Sequence, residues 1–85
     1  MGWELIIDSY AKKQLKRISK KDAERIVVAI KDFTANPYAG DIEKMEDQKD
    51  VWRRRIGAYR IFYEVYTTRK IIYVFDIKRR TSSTY

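Results

Sequence analysis

The 85-residue sequence contains no cysteine and no histidine, and only one proline and three glycines. Without cysteine it has neither a disulfide framework nor a thiolate metal site, and without histidine it lacks the commonest acid–base group. Three glycines are too few for a glycine-rich phosphate loop. No apolar run approaches the ~18 residues of a membrane span, and nothing at the N-terminus is typical of a signal peptide. We therefore expect a cytoplasmic protein that uses no membrane, no metal ion and no cofactor.

Negative charge is scarce in the C-terminal segment 51–85. Residues 1–50 carry 10 Lys or Arg and 10 Asp or Glu, whereas residues 51–85 carry 9 basic and 2 acidic residues. The net charge of +7 therefore comes from the C-terminal segment alone. Such an asymmetry indicates a surface that binds a polyanion, although a solvated basic surface without a partner is the alternative.

The pattern of apolar residues predicts one domain, residues 1–85, with an α+β fold. Spacings of three and four residues indicate two helices, the first beginning near Asp8 or Ser9 and the second ending before Asn36 and Pro37. Residues 37–50 are polar and predict a loop with at most a short strand or turn. Alternation or apolar runs predict four strands at residues 3–7, 51–56, 59–66 and 71–77, the last being the most apolar and expected at the centre. The order β-α-α-β-β-β predicts a helical hairpin on one face of a small, mainly antiparallel four-stranded sheet.

Basic residues recur on one predicted face of this sheet. Alternation along a strand places Arg53 and Arg55 on the same face, and the turn at Gly57 and Ala58 brings Arg60 of the next strand beside them. Converging guanidinium groups repel one another unless they meet phosphates, which they bind as bidentate partners. The predicted nucleic-acid-binding set, which the resemblance described below makes RNA-binding, is completed by three residues that follow the last strand, namely Lys78, Arg79 and Arg80.

We assign no function to Arg54 or to the acidic residues of the predicted loop. Arg54 falls on the helix-facing side, where we expect it near a sheet edge with its guanidinium reaching solvent. The acidic residues that could cluster lie mostly in the predicted loop, whereas a two-metal nuclease needs carboxylates fixed on rigid elements. These loop residues are Asp41, Glu43, Glu46, Asp47 and Asp50.

The segment Val51–Val65, VWRRRIGAYRIFYEV, resembles the RelE/ParE superfamily of toxins, whose members carry an aromatic residue, alternating basic residues, a glycine turn and Tyr-Arg before an apolar strand. The helical hairpin upstream and the basic tail ending in tyrosine extend the resemblance over essentially the whole chain. The resemblance implies a RelE-type mRNA interferase. The implied catalytic residues are Arg53 and Arg55, in place of two lysines of RelE-type ribonucleases, and Arg60, Arg79 and Tyr85.

The implied reaction is attack of an RNA 2′-hydroxyl on the adjacent phosphate. Arginine cannot act as the base because its pKa exceeds about 12, so Tyr85 is the leading candidate and the terminal carboxylate its rival. A branch of these toxins that uses a glutamate and a histidine near the C-terminus is not a model for this chain, which has no histidine.

The partners implied by the resemblance are mRNA, the ribosome at the 30S decoding site, and a cognate antitoxin protein. Two other functions remain open. The same superfamily includes ParE-like gyrase poisons without nuclease activity, although these usually lack the full set of basic residues and terminal tyrosine. An RNA-binding domain without catalytic activity is the third possibility.

Overall fold

The computed structural model describes residues 2–38, 40, 42–46 and 50–79. It contains two helices, α1 (Ser9–Arg17) and α2 (Lys20–Phe33), and five strands. The strands are β1 (Glu4–Ile7), β2 (Ile42–Lys44), β3 (Val51–Ile56), β4 (Tyr59–Tyr66) and β5 (Ile71–Arg79). They form one sheet in the order β1-β5-β4-β3-β2, in which only the β1–β5 pair is parallel. The predicted α+β class, with a helical hairpin on a mainly antiparallel sheet, is confirmed.

Two details of the predicted sheet are wrong. The polar segment 37–50, predicted as a loop with at most a short strand, contributes β2, so the sheet has five strands instead of four. The most apolar strand, β5, lies inside the sheet between β1 and β4, and β4 is the middle strand of the five. Finally, β5 continues through Arg79, so Lys78 and Arg79 belong to the strand and do not follow it.

Local sequence explains where the two helices begin. The Asp8 side chain accepts a hydrogen bond from the Tyr10 amide at 3.1 Å, and the Ser19 hydroxyl accepts one from the Asp22 amide at 3.3 Å. Each cap satisfies an amide group that has no partner within its helix. The α2 residues buried against the sheet recur at helical spacing, namely Ile26, Ala29, Ile30 and Phe33.

The core lies between the helices and one face of the sheet. In β4 every second residue is buried, as predicted: Tyr59, Ile61, Tyr63 and Val65. The Tyr63 ring stacks on Phe33 with the ring centroids 4.3 Å apart, and its hydroxyl donates a 2.7 Å hydrogen bond to the Pro37 carbonyl. Burial of Tyr63 raises its pKa to about 12, although the positive charge of Arg54 opposes the shift.

A bulge in β5 changes the face on which its later residues lie. Tyr63 pairs with Val74, but Phe62 pairs with Asp76, so Phe75 is an extra residue in the ladder. Because side chains alternate along a strand, one inserted residue moves all later side chains to the opposite face. Asp76 and Lys78 therefore face away from the helices, whereas Ile77 is buried beneath them.

The pKa of Tyr63 predicts a stability loss in alkali. An unfolded tyrosine ionises near pH 10, whereas the buried one stays neutral to about pH 12. The stability that the buried, neutral Tyr63 gives the folded state is fully present below pH 10 and is lost as the pH rises to about 12. We expect Tyr63→Phe to unfold about 1 kcal/mol more easily at pH 8, because the hydrogen bond to Pro37 is lost. Denaturant titrations should show this deficit shrinking at pH 11, with Tyr10→Phe, at an exposed tyrosine, as the control. An unchanged deficit would contradict the assigned burial.

Candidate functional site

The face of the sheet that carries no helix presents a row of three cations across three strands. Arg55 of β3 pairs directly with Arg60 of β4, and Arg60 pairs on its other side with Lys78 of β5. Neighbouring strands lie ~4.8 Å apart, so the row spans ~10 Å. We call Arg55, Arg60 and Lys78 the first row. Like charges directly opposite on neighbouring strands destabilise a sheet, so this arrangement favours a bound anion.

A second row lies one side-chain repeat further along the strands on the same face. It runs from Glu43 of β2 through Arg53 and Phe62 to Asp76 of β5. The Arg53 guanidinium binds one oxygen of Glu43 through both Nε and Nη2. Arg53 is 27% exposed and Glu43 is 65% exposed, so the pair lies at the solvent boundary and orients the arginine more than it stabilises the fold.

The two rows enclose a depression of about 120 Å³ lined by Glu43, Arg53, Arg55 and Arg60. This volume is well above the ~10–15 Å³ that one water molecule needs. Among the described residues, none forms a hydrogen bond or ion pair with the Arg60 side chain. Three guanidinium groups around one depression can hold a phosphodiester and stabilise negative charge that develops on it.

The other residues predicted for the site lie elsewhere or outside the described part of the chain. Arg79 pairs with Tyr59, so alternation puts it on the helix-facing side, away from Arg60, because of the bulge at Phe75. Arg80 and Tyr85 lie outside the described residues. The structure thus brings together Arg53, Arg55, Arg60 and Lys78.

Glu43 is the residue of the depression that sequence analysis missed. It was grouped with the loop carboxylates because its strand is three residues long and shows no alternation of apolar residues. In the structure, β2 pairs Glu43 directly with Arg53. Within the described ranges there is no cluster of three or more Asp, Glu, His or Cys residues that could hold a metal ion.

Arg54 lies on the helix-facing side, as predicted, but not at a sheet edge, because β2 covers β3. Its guanidinium lies over the Phe33 ring, 5.9 Å from the centroid, and its Nε is buried without a partner among the described residues. A Cβ at Gly40 would lie 2.6 Å from Arg54 Cζ, and Gly40 has a φ of +90°. The backbone conformation there favours glycine, and a Cβ would in addition displace the Arg54 guanidinium.

In the part of the chain that the structure describes, neither helix is long and apolar enough to cross a membrane. A comparison with curated protein sequences gave no match. A comparison with solved structures gave several matches. The chain is similar to the RelE protein of the archaeal RelE–RelB complex from Pyrococcus horikoshii OT3, with 25% identity, a TM-score of 0.84, and coverage of 98% of this chain and 100% of the other.

Two further structures share the fold. The isolated Escherichia coli RelE toxin has a TM-score of 0.82 at 17% identity, covering 95% of this chain and 87% of the other. The YoeB/ParE toxin from Agrobacterium tumefaciens has a TM-score of 0.76 at 20% identity, covering 92% and 99%. The family model for the ParE toxin of the type II toxin–antitoxin system parDE matches residues 5–83. The chain therefore belongs to the ParE toxin family, which confirms the predicted membership of the RelE/ParE superfamily.

Proposed function

We propose that the protein is a toxin endoribonuclease that cleaves mRNA in the ribosomal decoding site and thereby inhibits translation. The observation that carries this proposal is the depression in which Arg53, Arg55 and Arg60 converge. A phosphodiester in this depression would give the converging guanidinium groups a shared anionic partner. The fold alone would not suffice, since one fold hosts several functions.

The proposed reaction uses a nucleophile supplied by the substrate. The RNA 2′-oxygen attacks the adjacent phosphorus and loses its proton to a base, while the bond from phosphorus to the 5′-oxygen breaks and that oxygen takes a proton from water. The products are a 2′,3′-cyclic phosphate and a 5′-hydroxyl. Arg60 and Arg55 stabilise the extra negative charge on the phosphorane, which is the role that fixed donors fill best in such reactions.

Two groups are candidates for the base. Tyr85 is the one that the resemblance implies, and neighbouring guanidinium groups would favour its phenolate form. Glu43 is the one that the geometry adds, because its carboxylate lines the depression and Arg53 holds it in place. Neither role requires histidine or a metal ion, and Arg53 then acts as a positioning residue for Glu43 as well as a phosphate contact.

The family match also supports a second function, since the matching model describes ParE toxins. A gyrase poison would bind its target through this surface without cleaving RNA. A translating extract and a gyrase reaction with plasmid DNA separate the two. Cleaved mRNA supports the proposal, whereas double-strand breaks with intact mRNA support the alternative.

A cognate antitoxin is the proposed regulatory partner, as the archaeal relative was solved in a RelE–RelB complex. Besides the basic depression, the helix-free face has an apolar depression of about 400 Å³ lined by Ile6, Tyr66, Arg69, Ile71 and Tyr73. A disordered acidic segment with apolar side chains on one side complements both depressions.

Arg60→Ala should lower the rate of mRNA cleavage about 100-fold or more, because it removes a charge-stabilising group from the depression. Its fold should be as stable as the parent's or more so, since repulsion with Arg55 and Lys78 is relieved. Arg17→Ala, on the exposed surface of α1, removes the same charge far from the site and should cleave at the parental rate. Primer-extension rates with purified ribosomes measure both variants. Equal rates for Arg60→Ala and the parent would disprove the site assignment.

Replacing the 2′-hydroxyl on the 5′ side of the cut with hydrogen should abolish cleavage at that bond and leave binding almost unchanged. The base is then identified by comparing Tyr85→Phe with Glu43→Gln, of which the one that removes the base should slow cleavage more than about 100-fold. Single-turnover rates over a range of pH give this comparison. Cleavage of the deoxy-substituted RNA at the same bond would show that water, and not the substrate, is the nucleophile.

Association with the antitoxin should slow steeply as salt concentration rises, because the partner is steered to a positively charged surface. Stopped-flow rates between low and high salt measure the effect, and Arg55→Ala should reduce the slope while Arg17→Ala changes it less. An association rate that is flat across salt concentrations would show that the antitoxin docks elsewhere.

A further inference from the structure

Phe62 occupies an unusual position for a large apolar side chain. It lies in the second row on the helix-free face, between Arg53 and Asp76. Lys78 Nζ lies 5.5 Å from the centroid of its ring, and the Phe75 ring lies 6.4 Å away. The ring is only half-buried and belongs to the same strand and face as Arg60, two residues earlier. An aromatic ring interleaved with cations is the arrangement on which single-stranded nucleic acids stack their bases.

Asp76, beside Phe62 in the same row, is the second residue that indicates a bound ligand. Its side chain is 16% exposed, and its Oδ1 is buried without a hydrogen-bond partner among the described residues. Its other oxygen, Oδ2, lies 3.7 Å from Lys78 Nζ. A buried acceptor without a donor costs free energy in the unbound protein, and a ligand that brings a donor recovers that cost.

We propose that Phe62 and Asp76 form a nucleobase subsite next to the basic depression. The base of a nucleotide beside the cleaved bond stacks on Phe62, and an N–H group on its edge donates a hydrogen bond to Asp76 Oδ1. The inference rests on the proposed function, which supplies single-stranded RNA at this surface. It goes beyond that function by assigning to two residues of the sheet the contact with a base, where the arginines contact only phosphate.

The surroundings of Phe62 favour RNA over a protein segment as the occupant. Arg53 and Lys78 flank the ring, and the row continues into the depression that holds the phosphodiester. Two residues along a strand correspond to ~6.6 Å, so Phe62 lies within one nucleotide of Arg60. The apolar depression at the other end of the sheet face is wider and includes only one cation, Arg69. That end suits a protein segment better than a phosphate chain.

An abasic scan of the substrate tests the subsite without changing the protein. Single abasic nucleotides are placed at each position near the cut, and KM and kcat are measured on programmed ribosomes. One position should raise KM about 10-fold, which is the scale of losing one stacked base. If the parent cleaves intact RNA and no abasic position near the cut changes KM, the subsite is disproved while the proposed function stands. If the parent cleaves no RNA, the proposed function fails and the subsite with it.

A double-mutant cycle then tests whether Phe62 is the residue on which the nucleobase stacks. Phe62→Leu should raise KM about 10-fold on intact RNA and cause no further rise on the abasic substrate, since both changes remove one contact. Phe62→Tyr, which keeps the ring, should behave as the parent does. Tyr10→Leu, which removes an exposed ring on α1 in the helix layer, is the control and should leave KM unchanged. Additive effects of Phe62→Leu and the abasic nucleotide would disprove the stacking contact.

The hydrogen bond to Asp76 has its own measurement. With adenosine at the sensitive position, replacing it with purine riboside deletes the exocyclic amino group and keeps the stacked ring. The parent should lose several-fold in kcat/KM, whereas Asp76→Ala should cleave both substrates equally well. Asp76→Ala retaining the parental preference for adenosine would disprove the contact, and Phe62→Leu with parental kinetics but weakened antitoxin binding would assign this surface to the protein partner.

Discussion

One extra residue in β5 determines which side chains meet on the helix-free face. Phe75 interrupts the ladder with β4, so Asp76 pairs with Phe62 and Lys78 pairs with Arg60. Without the bulge, regular alternation from the buried Val74 would direct Arg79 to the helix-free face and Lys78 to the core side. The β5 members of both rows, Asp76 and Lys78, and therefore the proposed base subsite, depend on this irregularity in hydrogen bonding.

The fold tolerates the repulsion in the first row because the hydrophobic core lies on the opposite face of the sheet. The alternating residues of β4 are buried against α2, while the residues between them carry Arg60, Phe62 and Glu64. A sheet with one apolar face can present an unfavourable set of charges on the other and remain folded, because burial of apolar surface outweighs repulsion screened by solvent. Proteins commonly accept such local costs where a ligand will bind.

The fold was accessible from the sequence because its strongest elements are strictly periodic. Alternation in residues 59–66 and helical spacing in α2 fixed both layers and the buried face, and thus the proximity of Arg53, Arg55 and Arg60. What could not be predicted depends on pairing between distant segments. β2 is three residues within a polar stretch, and its assignment requires knowing that Glu43 lies opposite Arg53. The bulge likewise exists only relative to β4, so the face of Arg79 could not be read from β5 alone.

The chemistry of the site depends on a distinction that the fold does not make. Relatives with 17% to 25% identity share this sheet. The shared sheet fixes the arrangement of the backbone but does not determine which reaction the side chains carry out. The resemblance to RelE-type ribonucleases implies that Arg53 and Arg55 replace two lysines, and an arginine stabilises charge without exchanging a proton. In the proposed reaction the proton must therefore pass to a residue of another kind. Within the depression, Glu43 is the candidate for that residue in the proposed reaction. Its ion pair with Arg53 reduces repulsion among the arginines and would position a carboxylate beside a bound phosphate.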